Sequence, residues 1–62
     1  MKLFFEYRNY RGHVTGYSDW FTFKSYEDLT RRAEYLIKRI NEIEIVTAYD
    51  IDSNQIGQWG LA

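Results

Sequence analysis

The chain contains few residues whose types and spacing could support catalysis. His13 is its one histidine, and cysteine is absent. Paired-histidine and thiolate metal sites and a histidine-based triad therefore cannot be assembled. His13 also follows Gly12 in a predicted turn, whereas a general base needs a neighbour that orients it. The sequence predicts no catalytic residue, no metal and no cofactor, and a protein that is not an enzyme.

A calcium loop is the nearest approach to a metal-binding motif. Residues 50–54 read Asp-Ile-Asp-Ser-Asn, which matches the first ligand positions of an EF-hand loop. The match fails at position six, where Gln55 replaces the glycine, and at position twelve, where Leu61 replaces the bidentate glutamate. These residue types are also frequent in turns, so the pattern predicts a hairpin turn.

A small-molecule site is not expected either. Residues 57–60, Gly-Gln-Trp-Gly, have neither the length nor the lysine of a phosphate-binding loop. A domain this small seldom encloses the roughly 300 Å³ that a substrate site needs. We therefore expect a macromolecular partner and no small-molecule substrate.

The elements that position any functional residue must form a single small domain. A chain of 62 residues buries only about 60% of its unfolded surface. Much of its bulk is aromatic, with four phenylalanines, two tryptophans and six tyrosines, and the net charge is −1. No apolar run reaches the roughly 20 residues of a membrane span, and charges follow Met1 too soon for a signal peptide. We expect a soluble cytoplasmic protein with no membrane partner.

Alternating and helical patterns predict four strands and one helix in the order β-β-α-β-β. The strands are expected at residues 3–10, 14–23, 44–51 and 55–61. Ser25 is the expected N-cap of a helix that ends near residues 41–42. The helix has an apolar stripe made of Leu29, Ala33, Leu36, Ile37 and Ile40. This order predicts an α+β fold, a four-stranded antiparallel sheet with one amphipathic helix packed on one face.

A lone helix can cover only one face of such a sheet, which leaves the other for solvent or a partner. In the expected hairpin register Leu3 pairs with Phe23, and both face the helix. Trp20 then lies on the same side as Phe4. The uncovered face is expected to carry Phe4, Glu6, Arg8, Tyr10, Trp20, Val46, Ala48 and Asp50. Because Tyr, Trp and Arg dominate interface energetics, we predict a partner-binding role for Phe4, Arg8, Tyr10 and Trp20. The alternative is that these rings only pack across the strands of a half-solvated sheet.

The last third of the chain is acidic. Residues 42–62 hold four acidic side chains and no basic one, an asymmetry that can orient a partner by long-range attraction. Because side chains alternate along a strand, three of the acids are expected on one face. They are predicted to form a second partner-binding patch, made of Glu44, Asp50 and Asp52.

The order of these features resembles small accessory proteins of phages and mobile elements. The resemblance covers most of the chain and is carried by Phe21-Thr22-Phe23, Ser25, the helix, Tyr49-Asp50-Ile51-Asp52 and Trp59. Some anti-CRISPR inhibitors share this layout. The resemblance implies an inhibitor that acts on a larger assembly by protein contact, and it assigns no role to an individual residue.

We therefore expect a non-enzymatic protein-binding module, an inhibitor or regulator that also self-associates through a sheet face or edge. One alternative is a single-stranded nucleic-acid binder that uses the same aromatics with Arg8 and Arg11. The low net charge counts against it, as do three helical acid–base pairs, Glu27–Arg31, Asp28–Arg32 and Glu34–Lys38. Another alternative is an obligate homodimer, because so small a domain gains stability from a second copy.

Overall fold

The computed structural model describes residues 2–60 and confirms the α+β fold. One helix packs on an antiparallel sheet of five strands, where four were expected. The elements in chain order are β1 Lys2–Arg8, β2 Val14–Tyr17, β3 Phe21–Thr22, α1 Tyr26–Arg39, β4 Ile45–Asp50 and β5 Gln55–Trp59. The extra strand arises because the predicted second strand is interrupted at residues 18–20. The predicted end of the last strand at Leu61 lies outside the described residues.

Strand β1 is the centre of the sheet. The strand order is β2-β1-β4-β5, and the short β3 also pairs with β1. Leu3 lies opposite Phe21, and not opposite Phe23 as expected. The register of β3 is thus shifted by two residues, which preserves its faces because side chains alternate with a period of two. In β2, Tyr17 lies opposite Glu6, and not opposite Asn9 as the same expected register requires. This shift of three residues reverses the faces of β2.

The core lies between the helix and one face of the sheet. Its members are at most 6% exposed and comprise Leu3, Phe5, Leu29, Ala33, Ile43, Val46 and Ala48. The prediction that Val46 and Ala48 lie on the uncovered face is therefore wrong. Phe5 pairs with Ala48 and Tyr7 pairs with Val46, and residues that pair directly share a face. Asp50 pairs with Leu3, so it too belongs to the helix side of the sheet.

The helix begins where its sequence predicts. Ser25 is the N-cap, and its hydroxyl accepts a hydrogen bond from the Asp28 amide at 3.1 Å. The helix ends at Arg39, two residues earlier than expected. Ile40 is extended, and its amide donates to the Leu36 carbonyl at 2.9 Å. The turn that follows carries Ile43 into the core, where it is 6% exposed. Among residues 2–60, no helix has the length and apolar character needed to cross a membrane.

Candidate partner-binding surface

Four aromatic rings meet on the sheet face that the helix does not cover. Phe4 is at their centre, with its ring centroid 4.9 Å from that of Trp20, 5.6 Å from that of Tyr49 and 6.1 Å from that of Tyr17. Trp20 meets Phe4 edge-on, and Tyr49 is stacked on it. Phe4 is half-buried, whereas Tyr17 is 62% exposed and Trp20 is 51% exposed. We call these four residues the aromatic cluster.

Four neighbouring segments of backbone position the cluster. Phe4 of β1 lies directly opposite Tyr49 of β4, a cross-strand arrangement that favours ring contact. Tyr17 ends β2 opposite Glu6. Trp20 comes from the segment that connects β2 to β3. The prediction that Phe4 and Trp20 share the uncovered face is confirmed.

Arg8 lies on the same face of β1 but is engaged by its own neighbours. Its Nε donates to Glu6 Oε1 at 2.8 Å, and its Nη1 donates to the Gly12 carbonyl at 2.7 Å. The hydrogen bond that the Arg8 guanidinium donates to the Glu6 carboxylate raises the pKa of Arg8. Glu6 is 8% exposed, and a carboxylate that buried needs such a partner. Arg8 therefore neutralises the buried Glu6 carboxylate and stabilises the β1–β2 turn through Gly12.

Tyr10 lies outside the aromatic cluster, because β1 ends at Arg8 and not at residue 10. The Asn9 carboxamide oxygen accepts hydrogen bonds from the amides of Arg11 and His13, which turns the chain away from the sheet. Tyr10 is 75% exposed and lines a shallow depression with Asn41, beyond the end of the helix. The prediction that Tyr10 belongs to the sheet face is wrong.

The three predicted acidic residues do not form one patch. Glu44 immediately precedes β4, and its amide donates to the Arg8 carbonyl at 2.9 Å. Asp50 is the last residue of the same strand. At roughly 3.3 Å per residue, the two are about 20 Å apart. Asp52 lies beside Asp50 in the β4–β5 turn, so the acidic surface is divided between opposite ends of the sheet.

Asp50 organises the predicted hairpin turn. Its Oδ1 accepts hydrogen bonds from the amides of Asp52 and Asn54, each at 2.9 Å, and its Oδ2 accepts one from the Asn54 side chain at 3.2 Å. The Asn54 amide makes the largest contribution to a lowered pKa of the Asp50 carboxyl. Ser53 adopts a positive φ of 64° at the tip of the turn. Within residues 2–60, no group of three acidic or histidine side chains is arranged to hold a metal ion.

Tyr17 and Tyr49 complete the cluster and were not predicted from the sequence. For Tyr49, a usable signal exists within β4, where Val46 and Ala48 are wholly apolar while Thr47 and Tyr49 carry hydroxyls. The apolar pair suits the core and the hydroxylated pair suits the other face. For Tyr17 no such signal exists, because its face depends on the interruption between β2 and β3.

Comparisons with known proteins identify no relative of this chain. Neither a protein-family model, nor a curated protein, nor a solved structure matches the chain.

Proposed function

We propose that this protein is a non-enzymatic protein-binding module that docks through the aromatic cluster. The observation that carries the proposal is the contiguity of the four rings on the face without a helix, with Tyr17 and Trp20 each more than half exposed. Rings held against one another lose little conformational freedom on binding. Tyr and Trp are also the residues most enriched among those that dominate interface energies.

The electrostatics next to the cluster favour a protein partner with an apolar contact surface. Glu6 and Arg8 neutralise each other by a direct ion pair. The sheet surface next to the aromatic cluster therefore carries little net charge. A domain this small would act as an inhibitor or regulator by covering a functional surface of that partner. An anti-CRISPR-like role would be one form of this inhibition, and it is part of the same proposal.

The nucleic-acid alternative depends on Arg8 and Arg11, which do not extend the aromatic cluster. Arg8 is paired with Glu6. Arg11 lies in the turn beyond β1, where its Nε donates to the hydroxyl of Tyr10, a residue outside the cluster, at 3.1 Å. β1 has two cations on the cluster face, Lys2 and Arg8. Among the described residues, only Lys2 of these two has no acidic partner. Phosphate binding needs several uncompensated cations along a groove, so we favour a protein partner.

Affinity capture with matched baits tests the proposal. The tagged protein and its Trp20→Ala, Tyr17→Ala and Tyr10→Ala variants are used to capture partners from the native cell, with and without nuclease treatment. Any captured protein is then purified and titrated by calorimetry. We expect one stoichiometric protein that binds the wild type and Tyr10→Ala but is lost with the two cluster variants. Tyr10→Ala is the control because Tyr10 is exposed but lies outside the cluster.

Three results would count against this proposal. Recovery of nuclease-sensitive material alone would favour the nucleic-acid alternative. Equal capture by all four baits would place the interface elsewhere on the domain. Self-association is measured separately by sedimentation velocity. A dimer that Trp20→Ala dissociates, with no other protein bound, would favour the homodimer alternative.

A further inference from the structure

A cleft of about 380 Å³ opens on the opposite side of the sheet from the aromatic cluster. It exists because the helix contacts β4 and β5 and leaves the β1 side of the same face only partly covered. The volume exceeds the roughly 300 Å³ at which ligand pockets begin. The size of the domain is therefore not an argument against a small bound ligand.

The apolar residues that line the cleft come from both the sheet and the helix. Phe21 and Leu36 are partly buried and line it, together with Phe5, which is only 2% exposed. The ring centroids of Phe5 and Phe21 are 4.8 Å apart. An apolar or aromatic body placed here would exchange water for ring surfaces that are already ordered, which favours binding.

Two arginines of the helix line the same cleft. The Arg32 guanidinium lies over the Phe21 ring, 4.7 Å from its centroid. Its expected partner Asp28 instead accepts a hydrogen bond from the Lys24 amide. Within residues 2–60, no carboxylate lies within 4.0 Å of Arg32. Arg32 is thus a positioned cation with free hydrogen-bond donors at the edge of an apolar cleft.

Arg31 supplies a second cation that an anion could recruit. It pairs with Glu27 at 3.1 Å, but the two side chains are 74% and 79% exposed. Exposed pairs of this kind contribute little and exchange readily. Tyr7 lines the cleft as well, and burial raises the pKa of its hydroxyl.

We propose that the cleft binds a small amphipathic anion, with an apolar body against Phe21 and Leu36 and an anionic group held by Arg32 and Arg31. The chemistry of the rim selects the anion, because a guanidinium donates two parallel hydrogen bonds to the oxygens of a carboxylate, sulfonate or phosphate. The volume selects the size, since about 380 Å³ is at the lower end of ligand pockets and suits a body of two or three rings. This site is separate from the aromatic cluster and does not depend on the function proposed for it.

A pair of probes that differ only in charge tests the proposal. The probes are 8-anilinonaphthalene-1-sulfonate and N-phenyl-1-naphthylamine, which has the same ring system without the sulfonate. Each is titrated into the whole protein by fluorescence, and amide chemical shifts locate the site. We expect the sulfonate to bind at least about tenfold more tightly, because a hydrogen-bonded ion contributes more than a neutral contact. The largest shifts are expected at Phe21, Arg32 and Leu36.

Three variants make the result specific. Arg32→Gln is expected to weaken sulfonate binding about tenfold and to leave the neutral probe unchanged. Arg11→Gln removes the same charge from the β1–β2 turn and is expected to change neither probe. Trp20→Ala alters the aromatic cluster and is expected to leave both titrations as in the wild type. Circular dichroism and thermal melting establish that each variant is folded.

The proposal is overturned if both probes bind equally, if Arg32→Gln and Arg11→Gln give the same loss, or if neither probe binds the folded wild type. It is also overturned if the shifts cluster at Phe4 and Trp20, because the probe would then report the other face. None of these outcomes bears on partner capture by the aromatic cluster.

Discussion

Ser18 satisfies both backbone groups of Phe5 at the point where the sheet edge is interrupted. The Phe5 amide donates to the Ser18 hydroxyl at 2.8 Å, and the Ser18 amide donates to the Phe5 carbonyl at 2.9 Å. A side-chain oxygen thereby replaces the carbonyl that a continuous strand would supply. Phe5 is 2% exposed, so an unmet amide there would be costly.

The same interruption decides which side chains face the helix. Tyr17 lies opposite Glu6, whereas Phe21 lies opposite Leu3. Four residue steps lead from Tyr17 to Phe21, but only three lead from Leu3 to Glu6 on β1. The segment between β2 and β3 therefore contains one extra residue. In an uninterrupted strand with the register of Tyr17, the residue opposite Leu3 would be Trp20. The extra residue, in the manner of a bulge, places Phe21 against the core and Trp20 on the uncovered face.

Removal of the Ser18 hydroxyl should destabilise the domain. Ser18→Ala leaves the buried Phe5 amide without an acceptor, which costs about 1–3 kcal/mol. Thr15→Ala is the matched control, because the Thr15 hydroxyl makes a long 3.4 Å bond to the Tyr7 carbonyl at an exposed position. That substitution should cost less than about 0.5 kcal/mol. Urea unfolding measures both, and equal losses would show that the Phe5 amide finds another partner.

Two strand glycines should respond in opposite ways to alanine. A Cβ at Gly57 would lie 2.7 Å from the Trp59 ring and 2.9 Å from the Tyr26 hydroxyl. Trp59 cannot easily move, since its indole N–H donates to the Thr30 hydroxyl at 3.0 Å. Gly57→Ala should therefore cost about 1–3 kcal/mol through overpacking.

At Gly16 the nearest atom to a new Cβ is 3.8 Å away, on the Tyr7 ring. Gly16→Ala should be neutral or stabilise by about 0.4–1 kcal/mol, because the unfolded chain loses freedom. Thermal and urea unfolding compare the two variants. A stabilising Gly57→Ala would contradict the packing of Trp59 across that glycine.

The Asp50 turn should make stability depend on acid pH. The folded protein holds the pKa of this carboxyl below its ordinary value, so the ionised form favours folding. The stabilisation is present above the ordinary aspartate pKa of about 4 and is lost as pH falls through the lowered folded pKa. Asp50→Asn keeps an acceptor oxygen but cannot titrate. It should be less stable near neutral pH and should show a smaller loss of Tm on acidification.

Asp52→Asn is the control for this titration. Its exposed side chain accepts no hydrogen bond from the described residues, whereas its amide donates to Asp50. Its Tm should follow the wild-type pH dependence. If Asp50→Asn and the wild type lose the same Tm between pH 7 and pH 2.5, the turn is not the source of the acid sensitivity.

The two tryptophans should separate binding from stability. Trp20 is half exposed in the aromatic cluster, so Trp20→Ala should cost about 2 kcal/mol or more in partner affinity and less than that in folding. Trp59 contacts Phe5 and Tyr26 and donates to Thr30. Trp59→Ala should cost about 3 kcal/mol or more of folding free energy. Calorimetric titration measures partner affinity, and urea unfolding measures the folding free energy. If Trp59→Ala mainly weakened binding and Trp20→Ala mainly destabilised the fold, the roles assigned to the two tryptophans would be wrong.

Local patterns in the sequence determine the elements of this protein. Ser25, the acids after it and the apolar positions at helical spacing define the helix without reference to the rest of the chain, because capping and amphipathicity involve neighbours within a few residues. Alternation likewise predicts the strands and the helix-facing side of β1. The expectation of a protein-binding module also comes from the sequence alone, because a single helix cannot cover both faces of the predicted sheet.

Tertiary structure decided the rest. Val46 and Ala48 face the helix because β4 pairs with β1 in one particular register, and a shift of one residue would have exposed them. The Glu6–Arg8 pair, the place of Tyr17 and the cleft beside Arg32 likewise follow from contacts between distant segments. Such contacts depend on how the strands and the helix pack together, which periodicity within one segment does not encode.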